Sequence, residues 1–148
     1  MLETDSFKVI EVADPERMLD SRSKTALMTV ATWGDFYRIG ENWYTLQQWR
    51  QWQHGRAVNE VNHMGEYNTK LGDVLYVCPP ESDDIVCQVQ VMEIRMVDIA
   101  RLTDEEFREL GYASQKDYDR VWGAMSDGSE HGWFMRFVLL SETSEIVQ

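Results

Sequence analysis

The sequence is poor in cysteine, proline and basic residues, and each shortage excludes a class of protein. Two cysteines, Cys78 and Cys87, cannot build the disulfide framework of a small secreted domain. No apolar run approaches the roughly 18 residues of a membrane-spanning helix. The acidic N-terminus also lacks the basic start of a signal peptide. We therefore expect a cytoplasmic protein that makes no contact with membranes.

The shortage of basic residues gives the chain a strong negative charge. Fourteen Lys and Arg stand against 26 Asp and Glu, a net charge of −12. Such a protein cannot coat nucleic acid through its overall field. Contact with nucleic acid must come from a local patch, or the partner is a basic protein. The 148 residues, 43% of them hydrophobic, are typical of one globular domain without linkers.

Alternation and helical spacing predict a small α+β protein with four or five strands and short helices in the connections. A slip in alternation near Met92 predicts a β-bulge, and Gly34-Asp35 and Asp127-Gly128 predict turns. The predicted strands cover 7–12, 26–33, 74–78, 85–95 and 133–140, and the predicted helices cover 15–20, 45–54, 103–110 and 115–125.

The clearest local signal surrounds the helix predicted at 103–110. Thr103 and Glu106 have the spacing of a capping box, and Leu102 and Phe107 occupy the positions of a hydrophobic staple. Gly111 stands where a terminating glycine belongs. These residues predict both ends of one short helix.

The second half of the chain resembles a known family. The segments LGDVLYV, VQVMEIRMVDI, LTDEEFRELGYASQKDY and WFMRFVLL follow one another between residues 70 and 140. This order resembles the ASCH domain, a branch of the PUA-like β-barrels associated with RNA. The resemblance implies a mixed PUA-like barrel over residues 26–148. Residues 1–25 would be an addition that packs on its core.

The family motif G-x-K-x-x-E-x-R matches the sequence in part. Gly55 and Glu60 agree with it, whereas Ala57 replaces the lysine and Asn62 replaces the arginine. ASCH proteins that resemble the amidohydrolases of N4-acetylcytidine use that lysine with a threonine and a carboxylate, and this chain has Glu60 at the threonine position and Glu109 beside the carboxylate position. The resemblance therefore favours binding over hydrolysis. If the protein is an amidohydrolase of an N-acylated nucleoside, Glu60 is the candidate general base.

Residues 33–70 combine aromatic side chains with arginine and lysine. They hold eight of the 17 aromatic residues, and four acidic residues balance four basic ones. Aromatic rings can stack on bases and cations can contact phosphates, and the segment has no net negative charge to oppose them. This combination is typical of sites for single-stranded nucleic acid or a modified nucleoside. Helical spacing alone would also explain Trp49 and Trp52 as a buried face. The predicted ligand-binding residues are Arg56, Asn59, Glu60, Asn62, Tyr67 and Lys70, with Trp33 or Trp43 for stacking.

The acidic residues concentrate in the second half and leave another function open. Residues 75–148 carry 15 acidic and six basic side chains, a net charge of −9. Such a surface could imitate phosphate and occupy the basic site of a nucleic-acid-binding protein, and ASCH-like proteins also occur in phages. Glu81, Asp83 and Asp84 are the candidate contacts of this inhibitor hypothesis. A solvated loop is the simpler explanation.

No metal or other cofactor is expected. His54 and His63 are nine residues apart, as are Cys78 and Cys87, whereas zinc ligands usually lie two to five apart. Cys87 alternates with apolar residues and is predicted to lie in the core.

Overall fold

The computed structural model describes residues 8–11, 25–47, 51–82, 84–122 and 131–142. They form nine strands, two α-helices and one 3-10 turn at Ile99–Arg101. The strands are β1 (Lys8–Glu11), β2 (Ala26–Val30), β3 (Phe36–Ile39), β4 (Asn42–Thr45), β5 (Glu60–His63), β6 (Tyr67–Lys70), β7 (Val74–Cys78), β8 (Cys87–Asp98) and β9 (His131–Glu142). The helices are α1 (Asp104–Glu109) and α2 (Gln115–Trp122).

The strands form two sheets. The five-stranded sheet has the order β1-β7-β8-β9-β2, and the four-stranded sheet has the order β4-β3-β5-β6. Only the pair of β1 and β7 is parallel among the described strands. The α+β class and the short connecting helices agree with expectation. The predicted number of strands is wrong because all four strands of the second sheet were missed, each too short to show a clear alternation.

The chain crosses from one sheet to the other just before β5. Gly55 donates its backbone N–H to the carbonyl of Met96, and Val58 donates to the carbonyl of Ile94. These bonds tie residues 55–58 to β8 before the chain returns at β5 to the second sheet, which already contains β3 and β4. The inner faces of the two sheets therefore share one core, which includes Trp133, Tyr37 and Val61. The described strand pairing gives two linked sheets rather than one continuous closed cylinder.

Helix α1 begins as predicted. The Thr103 hydroxyl accepts the backbone N–H of Glu106, and the Glu106 carboxylate accepts the backbone N–H of Thr103. Burial raises the pKa of Glu106, but hydrogen bonds from Thr103 and Arg95 outweigh that effect, so the pKa is lowered overall. The capping box is confirmed.

Helix α1 also ends as predicted. Gly111 has φ of 99°, its N–H donates to Arg108, and the N–H of Tyr112 donates to Phe107, the pattern of a Schellman motif. Leu102 and Phe107 are both buried in the smaller hydrophobic cluster beneath the helices.

No helix in the described ranges is long and apolar enough to cross a membrane.

The helix predicted at 45–54 is wrong for the residues that the structure describes. Thr45 is the last residue of β4, and residues 51–54 form turns. Leu46 and Trp52 pack on the core, but the Trp52 indole N–H donates to the Asp98 carboxylate, 46 residues away in sequence. A distant partner thus holds Trp52 in place without a helix. The predictions at 15–20 and at Asp127-Gly128 fall outside the described residues.

The long strand β8 contains the predicted bulge. Its register against β9 shifts between Val91 and Glu93, at Met92. The turn predicted at Gly34-Asp35 is also present between β2 and β3. Both features follow from local sequence.

Candidate functional site

The register of the four-stranded sheet places eight side chains on one face, in two rows. The rows are Trp43, Arg38, Glu60 and Lys70, and Thr45, Phe36, Asn62 and Asn68. Each row crosses all four strands, because directly paired residues point to the same side of a sheet. We call these eight residues the outer face.

The outer face is turned to solvent because the opposite face is buried. Tyr37, Val61 and Thr69 alternate with the outer residues and lie in the interior. On the outer face Phe36 is 44% exposed and Trp43 is 47% exposed. Single exposed apolar residues are common, whereas exposed apolar residues that lie near one another, as these two do, are typical of a contact surface.

A chain of hydrogen bonds joins the polar residues of the outer face. Arg38 Nε donates to Glu60 Oε1 at 3.1 Å, and Asn68 Nδ2 donates to Glu60 Oε2 at 2.6 Å. Asn62 Nδ2 donates to Asn68 Oδ1, and Asn62 Oδ1 accepts the backbone N–H of Gly65. The bonds fix these side chains in place before any ligand arrives.

The outer face has the opposite sign of charge from the chain as a whole. Arg38 and Lys70 are positive and Glu60 is negative, so the face carries a formal charge of +1 within a chain of −12. The Lys70 side chain is exposed and forms no ion pair with any described residue. The face is a local cationic patch of the kind that an acidic protein needs to approach phosphate.

The outer face contains four of the eight predicted ligand-binding residues: Trp43, Glu60, Asn62 and Lys70. Tyr67 belongs to the opposite face and stacks on the His63 ring, with the centroids 4.3 Å apart. Asn59 accepts the backbone N–H of Gly40 and so holds the hairpin between β3 and β4. The predicted set therefore does not form one group.

Arg56 and Trp33 lie elsewhere in the molecule. The Arg56 guanidinium donates to the Gln51 carbonyl and is close enough to Tyr37 to influence its phenol. Burial raises the pKa of Tyr37, and the charge of Arg56 opposes that shift. Trp33 is 69% exposed in the turn between β2 and β3.

The outer face is completed by four residues that were not predicted as site residues: Phe36, Arg38, Thr45 and Asn68. Phe36 and Arg38 are two residues apart, which is the spacing of one strand face. That signal could have found them had β3 been predicted. Asn68 has the same spacing from Lys70, but its hydrogen-bonding role depends on pairing with Asn62 across the sheet.

The two candidate catalytic carboxylates are held by neighbouring side chains. Both oxygens of Glu60 accept hydrogen bonds, from Arg38 and from Asn68. Glu109 is held by two hydrogen bonds from the Arg136 guanidinium, at 2.7 and 2.9 Å. Ala57, at the lysine position of the motif, pairs with Arg95, which forms ion pairs with two glutamates.

Asp35 is a buried carboxylate that the sequence marked only as part of a turn. It is 1% exposed and accepts hydrogen bonds from the Trp133 indole at 2.8 Å, from the Met64 backbone at 3.1 Å and from the backbone and hydroxyl of Thr32. It thereby joins the core to the loops at one end of the four-stranded sheet. Phe36, the first residue of β3, follows it directly in the chain.

The acidic loop between β7 and β8 is described in part. Glu81 is exposed and has φ of 58°, and Asp84 is exposed with its backbone N–H bonded to the Ser82 hydroxyl. Asp83 lies outside the described residues.

The two cysteines lie on β7 and β8 of the five-stranded sheet, away from the outer face. Cys78 and Cys87 are buried and form no disulfide bond within the described residues, and burial raises the pKa of Cys87 to about 11. The prediction that Cys87 lies in the core is confirmed. Within the described residues, no three His, Cys, Asp or Glu side chains are arranged to hold a metal ion.

Comparison with known proteins shows the fold. No family model and no curated protein matches the sequence. The crystal structure of an ASCH domain from Lactobacillus crispatus is similar, with a TM-score of 0.60 and 8% identity over 95% of this chain and 87% of that chain. The chain has the ASCH-type fold. A protein of the family DUF984 from Enterococcus faecalis is also similar, with a TM-score of 0.51 and 8% identity over 96% of this chain and 83% of that chain.

The four positions of the partly matched motif lie in two parts of the fold. Gly55 and Ala57 lie in the segment that is bonded to β8, and Glu60 and Asn62 lie on β5 in the second sheet. The motif therefore crosses between the sheets and ends on the outer face. The division of the chain at residue 25 stays a prediction, while β1 pairs with β7 as the edge of the five-stranded sheet.

Proposed function

We propose that the protein is an ASCH-type module that binds single-stranded nucleic acid through the outer face of its four-stranded sheet. The observation that supports this function is the combination of two exposed aromatic rings, Phe36 and Trp43, with two cations, Arg38 and Lys70, on one surface. Aromatic rings stack on bases regardless of their identity, and cations meet the phosphates between them.

The dimensions of the sheet suit a single strand. Phe36 on β3 and Trp43 on β4 belong to the two neighbouring rows of the outer face. Lys70 lies at the end of the first row, on the edge strand β6. Neighbouring strands are about 4.8 Å apart, and residues two apart along a strand are separated by about 7 Å. Bases splayed from one strand can therefore reach both rings while the backbone lies beside Arg38 and Lys70.

A titration with labelled single-stranded RNA and DNA of about 12 nucleotides tests the proposal at low salt, near 50 mM, where electrostatic binding is strongest. We expect Phe36→Ala and Trp43→Ala each to weaken binding by about 1–3 kcal/mol, the value of one lost stacking contact. Lys70→Gln should reduce the salt slope by about one.

A matched control is available for the charge. Arg101→Gln removes the same charge from an exposed side chain outside the outer face, so it should leave the affinity nearly unchanged. Absence of binding near 50 mM salt would refute the proposal. Equal losses in Lys70→Gln and Arg101→Gln would show that the outer face has no special role.

The two alternatives from the sequence receive no further support. Among the described contacts, Glu60 accepts hydrogen bonds from Arg38 and Asn68 and Glu109 accepts them from Arg136, and neither carboxylate is bonded to a hydroxyl or thiol group. Glu81 and Asp84 of the acidic loop are exposed, which a solvated turn explains as well as the inhibitor hypothesis does.

A further inference from the structure

We propose that Met64 is a third contact for the bases of a bound strand, and that Trp43, Phe36 and Met64 mark the path of that strand as one diagonal across the outer face. This inference rests on the function proposed above and identifies where the strand runs. It follows from the pairing of β3 with β5, which continues into the turn after β5.

The alternation of inner and outer side chains persists past the last pair of β3 and β5. That pair is Phe36 and Asn62, whose side chains lie on the outer face. The next residues along the two chains, Asp35 and His63, are 1% and 7% exposed. Because successive residues of a strand point to opposite sides of the sheet, their burial is what the inner face requires.

One step further, the same register sets Met64 against Gly34 on the outer side. The Met64 Cγ lies 3.4 Å from the point that a Cβ on Gly34 would occupy, so the two positions are in contact. Met64 is 55% exposed, in contrast to the buried residues that precede it and its partner. Gly34 and Met64 therefore form a third row of the outer face, next to the row of Phe36 and Asn62.

Three exposed apolar side chains lie on one diagonal of this surface. Trp43 on β4 is in the first row, Phe36 on β3 is in the second, and Met64 after β5 is in the third. Each step crosses one strand and one row, which separates neighbouring positions by about 8 Å. Stacked bases of a helix are about 3.4 Å apart, so a strand reaches all three side chains only with its bases splayed, one base to each.

The cations of the outer face lie on one side of this diagonal. Arg38 and Lys70 are both in the first row, on the side of the edge strand β6, and Glu60 between them is paired with Arg38. Thr45 and Gly34 occupy the other side and carry no charge. Because cations attract phosphates, the backbone of the strand runs on the side of Lys70 and its bases reach the diagonal.

The backbone of Met64 has a conformation that favours glycine. Its φ is 54°, and its N–H donates to the buried Asp35 carboxylate at 3.1 Å. An L side chain in this left-handed region costs energy that glycine does not incur. The turn itself therefore does not require a methionine, whereas a contact of the side chain with a base explains one. The thioether is polarisable and packs well against aromatic rings, and a base presents such a ring.

The methyl resonances of ¹³C-labelled methionine test the contact, with Met64→Leu to assign the Met64 signal. Met92 is the matched control, because it is 56% exposed and lies on β8 in the other sheet. With single-stranded RNA of about 12 nucleotides at about 50 mM salt, we expect the Met64 methyl resonance to shift in parallel with the Trp43 indole resonance while Met92 stays in place.

Each other outcome of this titration counts against a stated claim. A shift of Trp43 with an unmoved Met64 methyl would overturn the inference and leave the proposed function standing. Equal shifts at Met64 and Met92 would also overturn it. Absence of any binding would overturn both the inference and the proposed function.

Met64→Gly separates the contact from the fold. Glycine suits the positive φ, so the midpoint of urea unfolding should not fall, whereas RNA binding should weaken about threefold to tenfold. Met92→Ala removes an equally exposed side chain from the other sheet and should leave the affinity unchanged. Native affinity in Met64→Gly would refute the contact. Weaker binding together with a lower midpoint would refute it too, because the loss would then belong to the turn.

Discussion

Asp35→Ala removes a buried carboxylate that connects the core to the loops beside the outer face. In the native protein this carboxylate accepts hydrogen bonds from the Trp133 indole, the Met64 backbone, and the backbone and hydroxyl of Thr32. Asp35 is 1% exposed and Trp133 is 0% exposed, so water cannot easily replace the carboxylate at the indole. Alanine provides no acceptor for any of these donors.

The expected loss follows from the surroundings of each donor. The Trp133 N–H is left unsatisfied in the core, which costs about 1–3 kcal/mol. Met64 is 55% exposed, so water can reach that loop and the further loss there and at Thr32 is about 1 kcal/mol each. We expect Asp35→Ala to lower the free energy of unfolding by about 3–5 kcal/mol.

Urea unfolding followed by tryptophan fluorescence measures this loss. Asp84→Ala is the matched control, because it makes the same substitution at an exposed aspartate and should change stability by less than about 0.5 kcal/mol. A loss below about 1 kcal/mol in Asp35→Ala would refute the reasoning, since it would mean that the indole and the loops keep their positions without the carboxylate.

Three further predictions concern other buried or capped groups. Burial lowers the pKa of His63, with the Asp35 charge opposing the shift, so the unfolded chain binds the proton more readily and stability falls as pH drops below about 6.5. His63→Gln should flatten that fall in urea titrations above about pH 5.5, and an unchanged slope would contradict the assignment. Thr103→Ala should destabilise the protein by about 1 kcal/mol in the same assay, and no change would argue against the capping box. Cys78 and Cys87 should react with a thiol reagent only after unfolding, and rapid labelling of the native protein would disprove their burial.

Local sequence predicted the features whose causes are local. Three such features are the capping box at Thr103 and Glu106, the helix end at Gly111 and the bulge at Met92. Each depends on residues that lie only a few positions apart in the sequence. The ASCH resemblance added the overall fold, which the comparison with solved structures bears out. These features needed no knowledge of distant contacts.

Features that depend on distant contacts were missed. Trp52 fitted a helix because Leu46, Trp49 and Trp52 are evenly spaced, but its indole is held by Asp98 from β8. The second sheet was missed because its strands are four residues long and their outer positions hold aromatic residues such as Phe36 and Trp43.

The outer face itself could be anticipated only in part. Glu60 and Asn62 share a face by their spacing alone, but Arg38 and Lys70 join them only through the register of three strands. The direction of the Asn62 and Asn68 amides depends on Gly65 at the turn, and no sequence pattern carries that information.

The central claim is that single-stranded nucleic acid binds the outer face, and the indole resonances of the ¹⁵N-labelled protein test it most directly. The Trp43 indole is exposed on that face, whereas the Trp133 indole is buried and bonded to Asp35. We predict that titration with single-stranded RNA of about 12 nucleotides near 50 mM salt shifts the Trp43 indole N–H resonance and leaves the Trp133 resonance in place. Saturable binding with an unmoved Trp43 resonance would contradict the account.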